Sequence, residues 1–176
     1  MTHHDHPPEG YRPCVGLFLL NARGEVFIGH RNDLDADFIP ASVIDKPWQM
    51  PQGGIDPDEA TEVAALRELL EEVGTDRVTI LRESRLWRLY EFPPEVAMGK
   101  WNGRYRGQAQ KWFALRFDGT DADINIATEK PEFSEWKWVG IDHVCDLIVG
   151  FKRDVYASVV DEFRDLAVAA QSRRKA

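Results

Sequence analysis

The feature that most constrains this chain is the run Gly53 to Thr75, GGIDPDEATEVAALRELLEEVGT, a glycine turn leading into a helical segment. Residues three and four apart share a helix face, so Glu68, Glu71 and Glu72 project together from roughly one turn. Like charges at that spacing repel, and an all-oxygen cluster suits a hard divalent cation. Val63, Leu66, Leu70 and Val73, spaced three, four and three, form an apolar stripe that predicts docking of the other face on a core. Asp56, Pro57 and Glu59 read as an N-terminal cap, and Gly74 as the left-handed residue that stops the helix.

Gly53, Glu59, then Arg67-Glu68-Leu69-x-Glu71-Glu72-x-Gly74 resemble the Nudix box, in which glycine is followed after five residues by glutamate and after seven more by Arg-Glu-U-x-Glu-Glu-x-Gly-U, with U a bulky aliphatic residue. Thr75 replaces the last aliphatic residue, beyond the acidic cluster, and bears only on local packing. The resemblance implies an α/β fold, the Nudix α/β/α sandwich with a mixed β-sheet and the Nudix loop-helix. It also implies hydrolysis of a nucleoside diphosphate linked to another group. Glu68, Glu71 and Glu72 would bind Mg2+, with Mn2+ or another divalent cation able to substitute. The Gly53 carbonyl would join them, and Glu59 and Arg67 would brace the loop and helix. Phosphoanhydride cleavage needs charge neutralised on phosphate oxygens and a more acidic water, and clustered divalent ions supply both.

With 176 residues and 43% hydrophobic content, the chain has room for one compact domain with a substantial core. A net charge of −8 argues against broad nonspecific nucleic-acid binding, which needs basic surface to replace counterions. A polyanionic substrate held by metal ions and a few local cations remains compatible with it. Cys14 and Cys145 lie far apart in apolar stretches and read as reduced core residues of a cytoplasmic protein. No apolar run has the length to span a bilayer, and the N-terminus lacks the cationic and apolar regions of a signal peptide. Residues 1–10, with His3, His4 and His6, read as a flexible leader, 11–170 as the hydrolase domain and 171–176 as a fraying basic tail. Neither a membrane nor a stable protein partner is expected.

Cys14–Leu20 and Val26–Gly29, around the turn Asn21-Ala22-Arg23-Gly24, read as a β-hairpin. Residues 32–46 read as a loop at the mouth of the site, followed by an extended Trp48–Pro51. One or two strands are expected across Val78–Phe92, and Gln108–Phe117 alternates as a strand with large residues on both faces. The basic stretch Ala97–Gly107 is read either as a substrate-facing loop or as a surface excursion. A polar turn at Asp118–Asp123, an acidic loop at Glu129–Glu135 and a strand at Trp136–Val139 follow. Asp142 is expected to cap a short helix through Val149. Phe151–Ala169 reads as a longer helix with Val155, Val159, Phe163 and Leu166 on one face.

Beyond the box, Tyr11-Arg12-Pro13, Trp48-Gln49-Met50-Pro51-Gln52-Gly53-Gly54, Gly107-Gln108-x-Gln110-Lys111-Trp112-Phe113, Lys130-Pro131-Glu132-Phe133-x-x-Trp136 and Phe151-Lys152-Arg153-x-Val155-Tyr156 resemble the bacterial RNA pyrophosphohydrolase group. That group also contains dinucleoside polyphosphate hydrolases of bacteria and plants. By this resemblance Glu132 would be a fourth carboxylate at the metal cluster. Arg31 and Lys152 would hold the phosphate chain, and Tyr90 and Phe151 would lie near the nucleotide, though each of these two aromatics also reads as an ordinary core residue. Glu68, Glu72 and Glu132 are all candidates for the general base. The implied substrate is the triphosphorylated 5′ end of RNA or, by the same machinery, diadenosine tetra- or pentaphosphate. A Nudix-fold module that binds a nucleotide without cleaving it is the third reading, disfavoured because a pure binder gains nothing from a repulsive acidic cluster.

Overall fold

A computed structural model of the chain describes residues 6–32, 47–94 and 103–174. Residues 1–5 of the expected leader, 33–46 of the loop expected over 32–46, 97–102 of the basic stretch and the last two residues lie outside the described residues.

The centre of the fold is one long apolar strand, β1 (Tyr11–Leu20), whose alternate side chains serve two different cores. The strands β2 (Glu25–Arg31), β3 (Trp48–Gln49), β4 (Gln52–Gly54), β5 (Val78–Glu83), β6 (Arg88–Glu91), β7 (Gly107–Phe117) and β8 (Phe133–Gly140) complete a single mixed sheet. Its spine runs β3-β2-β1-β7-β5, with β4 paired to β1, β6 to β7 and β8 to β2. Among the described strands only β1 and β7 run parallel, in register from Tyr11 opposite Gly107 to Leu20 opposite Arg116.

Two helices cover the two faces. Helix α1 (Thr61–Val73) packs Ala64, Ala65, Leu69 and Val73 on Val15, Leu17 and Leu19 of β1 and on Phe113 and Leu115 of β7. Helix α2 (Arg153–Arg174), entered through a 3-10 turn at Gly150–Lys152, lays Val155, Val159, Val160 and Phe163 on Phe18, Leu20, Trp112 and Ala114. The period-two alternation of β1 and β7 therefore sends odd-numbered side chains toward α1 and even-numbered ones toward α2. The result is an α/β/α sandwich, as the sequence implies.

Several expectations need correction. The stripe on α1 faces the wrong way: Val63, Leu66 and Leu70 are 57%, 39% and 53% exposed, and only Val73 is buried. The buried face instead carries two alanines, which permit close approach to the sheet, together with Glu68 and Glu72, which turn inward toward polar partners. The helix also starts later than its cap signals suggest. Ala60 occupies the N-cap position without a side-chain cap, and Asp56 donates its N–H to the Glu59 carboxylate, 2.9 Å away, within a turn. Glu59 is held in that turn by Arg67, so it cannot enter the first helical turn. Gly74 closes the helix at φ 69°, as expected.

The hairpin is brief, since β1 and β2 share only the pair Leu20–Val26 before β1 turns to β4 and β7 while β2 pairs with β8. Strand β8 begins at Phe133 rather than Trp136, because Phe133 is drawn into the core beside Phe27. Asp142 caps nothing; it lies inside the 3-10 helix Ile141–Asp146 and pairs with Arg164 at 2.7 Å. Helix α2 continues through residues 171–174. Both cysteines are free; burial pushes the Cys14 thiol up to about 12. No helix of the described residues is long and apolar enough to cross a membrane.

Glu162 ties α2 to the sheet. It accepts the Arg85 N–H at 3.0 Å and pairs with the guanidinium of Arg88, itself buried, which also donates to Ser158. Burial opposes its charge, but the Arg85 N–H and Arg88 outweigh it and hold the carboxyl below its usual value. A depressed folded pKa contributes stability that is present above the unfolded value and lost as pH falls through the folded one. Unfolding by denaturant at neutral pH and in acid should therefore show an acid-labile contribution that Glu162→Gln removes. That substitution, by stranding a buried guanidinium, should also lower stability at pH 7 by about 3 kcal/mol.

Candidate active site

Pairing of β4 with β1, Gly53 opposite Val15 and Gly54 opposite Cys14, pins the glycine turn to the central strand. A Cβ on Gly53 would fall 1.9 Å from the Glu68 carboxyl carbon, so only glycine lets that carboxylate lie against the backbone. Arg67 locks the arrangement. Its Nε and Nη2 make a two-pronged pair with Glu59 at 2.8 Å each, Nη2 also donates to the Gly54 carbonyl at 2.8 Å, and Nη1 reaches Glu68 at 2.8 Å and Glu71 at 3.3 Å. Hydrogen bonds from Arg67 hold the Glu59 carboxyl down at about 2.

Arg67 thus offsets part of the repulsion among the helix acids, which are otherwise unlike one another. Glu71 is exposed, whereas Glu68 is buried, and its carboxyl is pushed up by burial against the pull of Arg67, with Glu71 and Glu132 adding repulsion. Glu72 is the extreme case at 1% exposure. Its Oε2 accepts the Gln52 backbone N–H at 2.9 Å, while its Oε1 is buried without a hydrogen-bond partner. Burial raises its pKa well above the usual carboxylate range, and the charge of Glu132 raises it further.

Glu132 comes from the stretch just before β8, and its carbonyl accepts the Asn32 N–H at 2.8 Å, which joins that stretch to the end of β2. Between it and α1 lies a cavity of about 250 Å³ lined by Glu71, Glu72, Thr128, Glu129, Lys130 and Glu132. Of these, Thr128 carries no signal of its own in the sequence, whereas Glu129 opens the expected acidic loop and Lys130 begins the Lys-Pro-Glu-Phe run.

The fold brings the remaining expected residues to the α2 side of the same loop. Arg31, at the end of β2, reaches Gln49 Oε1 at 3.4 Å. Lys152 is only 4% exposed, and its ammonium donates to Gln49 Oε1 at 3.0 Å and Gln52 Oε1 at 3.3 Å. Tyr90 is buried, with Phe92 and Phe151 each 5.6 Å from its ring and its hydroxyl donated to Gln108 at 2.7 Å. Its rim is therefore already taken by protein, and Phe151, half-buried, is the aromatic of the pair with free surface.

Sequence reasoning missed the glutamines at this spot. Gln52 donates to Gln108 and accepts from Gln110, and both partners project from alternate positions of β7. The Gln-x-Gln alternation on an otherwise apolar strand face was the available signal.

Among the described residues no three acids, histidines or cysteines are gathered closely enough to enclose an ion as they stand. The donor set nevertheless fits a hard divalent cation. It is all oxygen, its members repel one another, and the buried Glu72 Oε1 has an unmet demand for positive charge.

Comparison with known proteins identifies the family. The family model described as NUDIX domain matches residues 10–159. The chain is 54% identical over 159 residues to an RNA pyrophosphohydrolase of Novosphingobium aromaticivorans, covering 89% of this chain and 94% of that protein. It is 45% identical to an RNA pyrophosphohydrolase of Rickettsia conorii, covering 89% and 91%. Among solved structures, a C. elegans Ap4A hydrolase shares the fold with a TM-score of 0.63 at 18% identity, covering 90% of this chain and 98% of that one. The E. coli dihydroneopterin triphosphate pyrophosphohydrolase does so with a TM-score of 0.59 at 20% identity, covering 88% and 99%. Matched by its family model from β1 into the first turns of α2, the chain belongs to the NUDIX domain family.

Proposed function

We propose that this chain is a cytoplasmic, metal-dependent pyrophosphohydrolase, carried by residues 11–170, that converts the triphosphorylated 5′ end of RNA to a 5′-monophosphate. The observation that carries the reading is the buried Glu72 carboxylate, held by the Gln52 N–H on one oxygen and unpartnered on the other, beside Glu68 and Glu132. Identities of 45–54% to RNA pyrophosphohydrolases over most of both chains support the RNA substrate.

Enzymes of the Nudix family use divalent cations, and magnesium, replaceable by manganese, is the ion proposed here. Gly53, Glu68, Glu71, Glu72 and Glu132 would hold it, and when bound it neutralises phosphate oxygens and acidifies water. The chain's own groups do the rest. Arg67 ties the Gly53–Gly54 turn and the helix into one unit, which limits how far the carboxylates would have to move to take up the ion. Glu68, Glu72 and Glu132 are the carboxylates available to take the proton of the attacking water. Arg31 offers a cation to the phosphate chain, and Phe151 offers a ring on which a base of any sequence can stack.

Glu72→Gln should lower turnover roughly a thousandfold. At neutral pH it should leave the thermal midpoint unchanged or higher, because a buried carboxylate with a raised pKa is replaced by a neutral amide. Steady-state kinetics alongside thermal unfolding check both halves, and near-normal turnover would remove the proposed metal cluster.

Specificity constants measured side by side should favour triphosphorylated RNA over diadenosine tetraphosphate, with activity abolished by chelation and restored by magnesium. Preference for the dinucleotide would instead make this a dinucleoside polyphosphate hydrolase working through the same carboxylates. Tight nucleotide binding with no product would make it a binding module.

A further inference from the structure

The basic stretch before β7 is the sequence feature that the proposed reaction leaves unused, and the fold connects its described end, residues 103–107, to the carboxylate site. The Gln52 N–H holds Glu72 at 2.9 Å, the Gln52 side chain donates to Gln108 at 3.2 Å, and Gln108 accepts the Tyr90 hydroxyl at 2.7 Å. The Tyr90 ring meets Phe92 edge-on, with centroids 5.6 Å apart, and the Phe92 N–H donates to the Arg106 carbonyl at 2.9 Å. Burial falls along this route. Tyr90 is buried, Phe92 and Tyr105 are half-buried, and Arg104 and Arg106 are exposed.

The side chains at the outer end interleave cations with rings, the make-up of a surface for single-stranded nucleic acid. Arg106 is held in place: its guanidinium lies over the Tyr11 ring, 4.6 Å from the centroid, donates to the Tyr11 hydroxyl at 2.9 Å and pairs with Glu91 at 3.4 Å. Glu91 also accepts the Tyr11 hydroxyl at 2.8 Å, so this acid is engaged from two sides. Even so, 65% of the Arg106 side chain is exposed. A guanidinium fixed in this way has already given up rotamer freedom that a ligand would otherwise remove, and its planar fork suits a phosphate or a stacked base. Arg104 lies over the Tyr105 ring at 5.2 Å and makes no ion pair among the described residues. On a chain of net charge −8, whose overall field repels a polyanion, a local pair of arginines lets one approach at a chosen place.

We infer that Phe92, Arg104, Tyr105 and Arg106 form a binding strip for single-stranded RNA, which takes up nucleotides downstream of the triphosphorylated one. The strip lies outside the carboxylate cluster, so it contributes binding rather than chemistry. A dinucleoside polyphosphate has no chain to lay along it, and the strip therefore favours RNA. It rests on the reading of RNA as the substrate.

Steady-state kinetics on triphosphorylated RNAs, a dinucleotide against an unstructured octanucleotide, test the strip with the wild type, Arg104→Gln and Arg104→Gln/Arg106→Gln. In the wild type the octanucleotide should have a KM roughly tenfold below that of the dinucleotide at equal kcat. The double variant should abolish that advantage while leaving the dinucleotide's constants within about twofold. Binding of an octanucleotide with a 5′-monophosphate, followed by fluorescence anisotropy without metal, should weaken about tenfold in the double variant, with the salt slope falling by roughly 0.7 for each arginine removed. A wild-type KM independent of length, or a double variant that weakens both RNAs alike, would overturn the strip. Should the double variant fail to fold because Tyr11 and Glu91 lose their partner, Arg104→Gln alone decides: octanucleotide KM should rise about threefold, and an unchanged value would overturn the proposal. Hydrolysis of diadenosine tetraphosphate in place of RNA would overturn the substrate reading instead. The strip would then stand or fall on anisotropy alone, and a wild type that binds no tighter than the double variant, or than Arg104→Gln where the double variant does not fold, would sink it.

Discussion

Everything at this site follows from turning two carboxylates of one helix inward. Burying Glu68 and Glu72 against the sheet is unfavourable for any helix, and the fold offsets it with two fixed partners: the Arg67 guanidinium on Glu68 and the Gln52 N–H on Glu72. The offset is incomplete, since one oxygen of Glu72 has no partner and Glu132 adds a further negative charge beside it. A site left short of positive charge in this way is the basis for proposing that it takes up a cation.

The rest of the architecture supports this arrangement from both faces. On one face the paired alanines of α1 bring the helix close to β1 and β7, which places its acids over the glycine turn. On the other, α2 reaches through a gap in the apolar core with Lys152 and Tyr156, and the glutamines of β4 and β7 fill the space between. The polar cluster lies on the sheet where β1 pairs with both β4 and β7, and the aromatic core formed by Trp112, Tyr156 and Phe163 closes beneath it. A buried set of amides tolerates little disorder, because each unmet donor or acceptor costs as much as a bond gained.

Much of this was legible in the sequence, and the misses share a cause. The acid spacing on α1, the Gly74 stop, the strand at Gln108–Phe117 and its two covered faces all follow from periodicity, and the structure has them. The orientation of α1 did not follow. A stripe of valine and leucine ordinarily faces the core, but here the acid-bearing side does: it sets Glu68 against the glycine turn and Glu72 on the Gln52 N–H, while Ala64, Ala65, Leu69 and Val73 supply the packing. The late helix start has the same origin, with Glu59 committed to Arg67 across eight residues rather than to the helix end. Polar contacts between distant segments, such as Lys152 with Gln49 or Tyr156 with Met50, leave no periodic trace and emerge only when the sheet is assembled.

The parallel pairing of β1 with β7 has a consequence for how such a molecule comes into being. Tyr11 lies opposite Gly107, roughly a hundred positions later in the chain, so the central ladder closes only after a long stretch has been threaded into place. During synthesis from the N-terminus the acid-bearing helix leaves the ribosome well before the strand that completes its platform. For that interval Glu68 and Glu72 are solvated like any other acids, and the cation-hungry centre is assembled last, by the arrival of β7 and then α2.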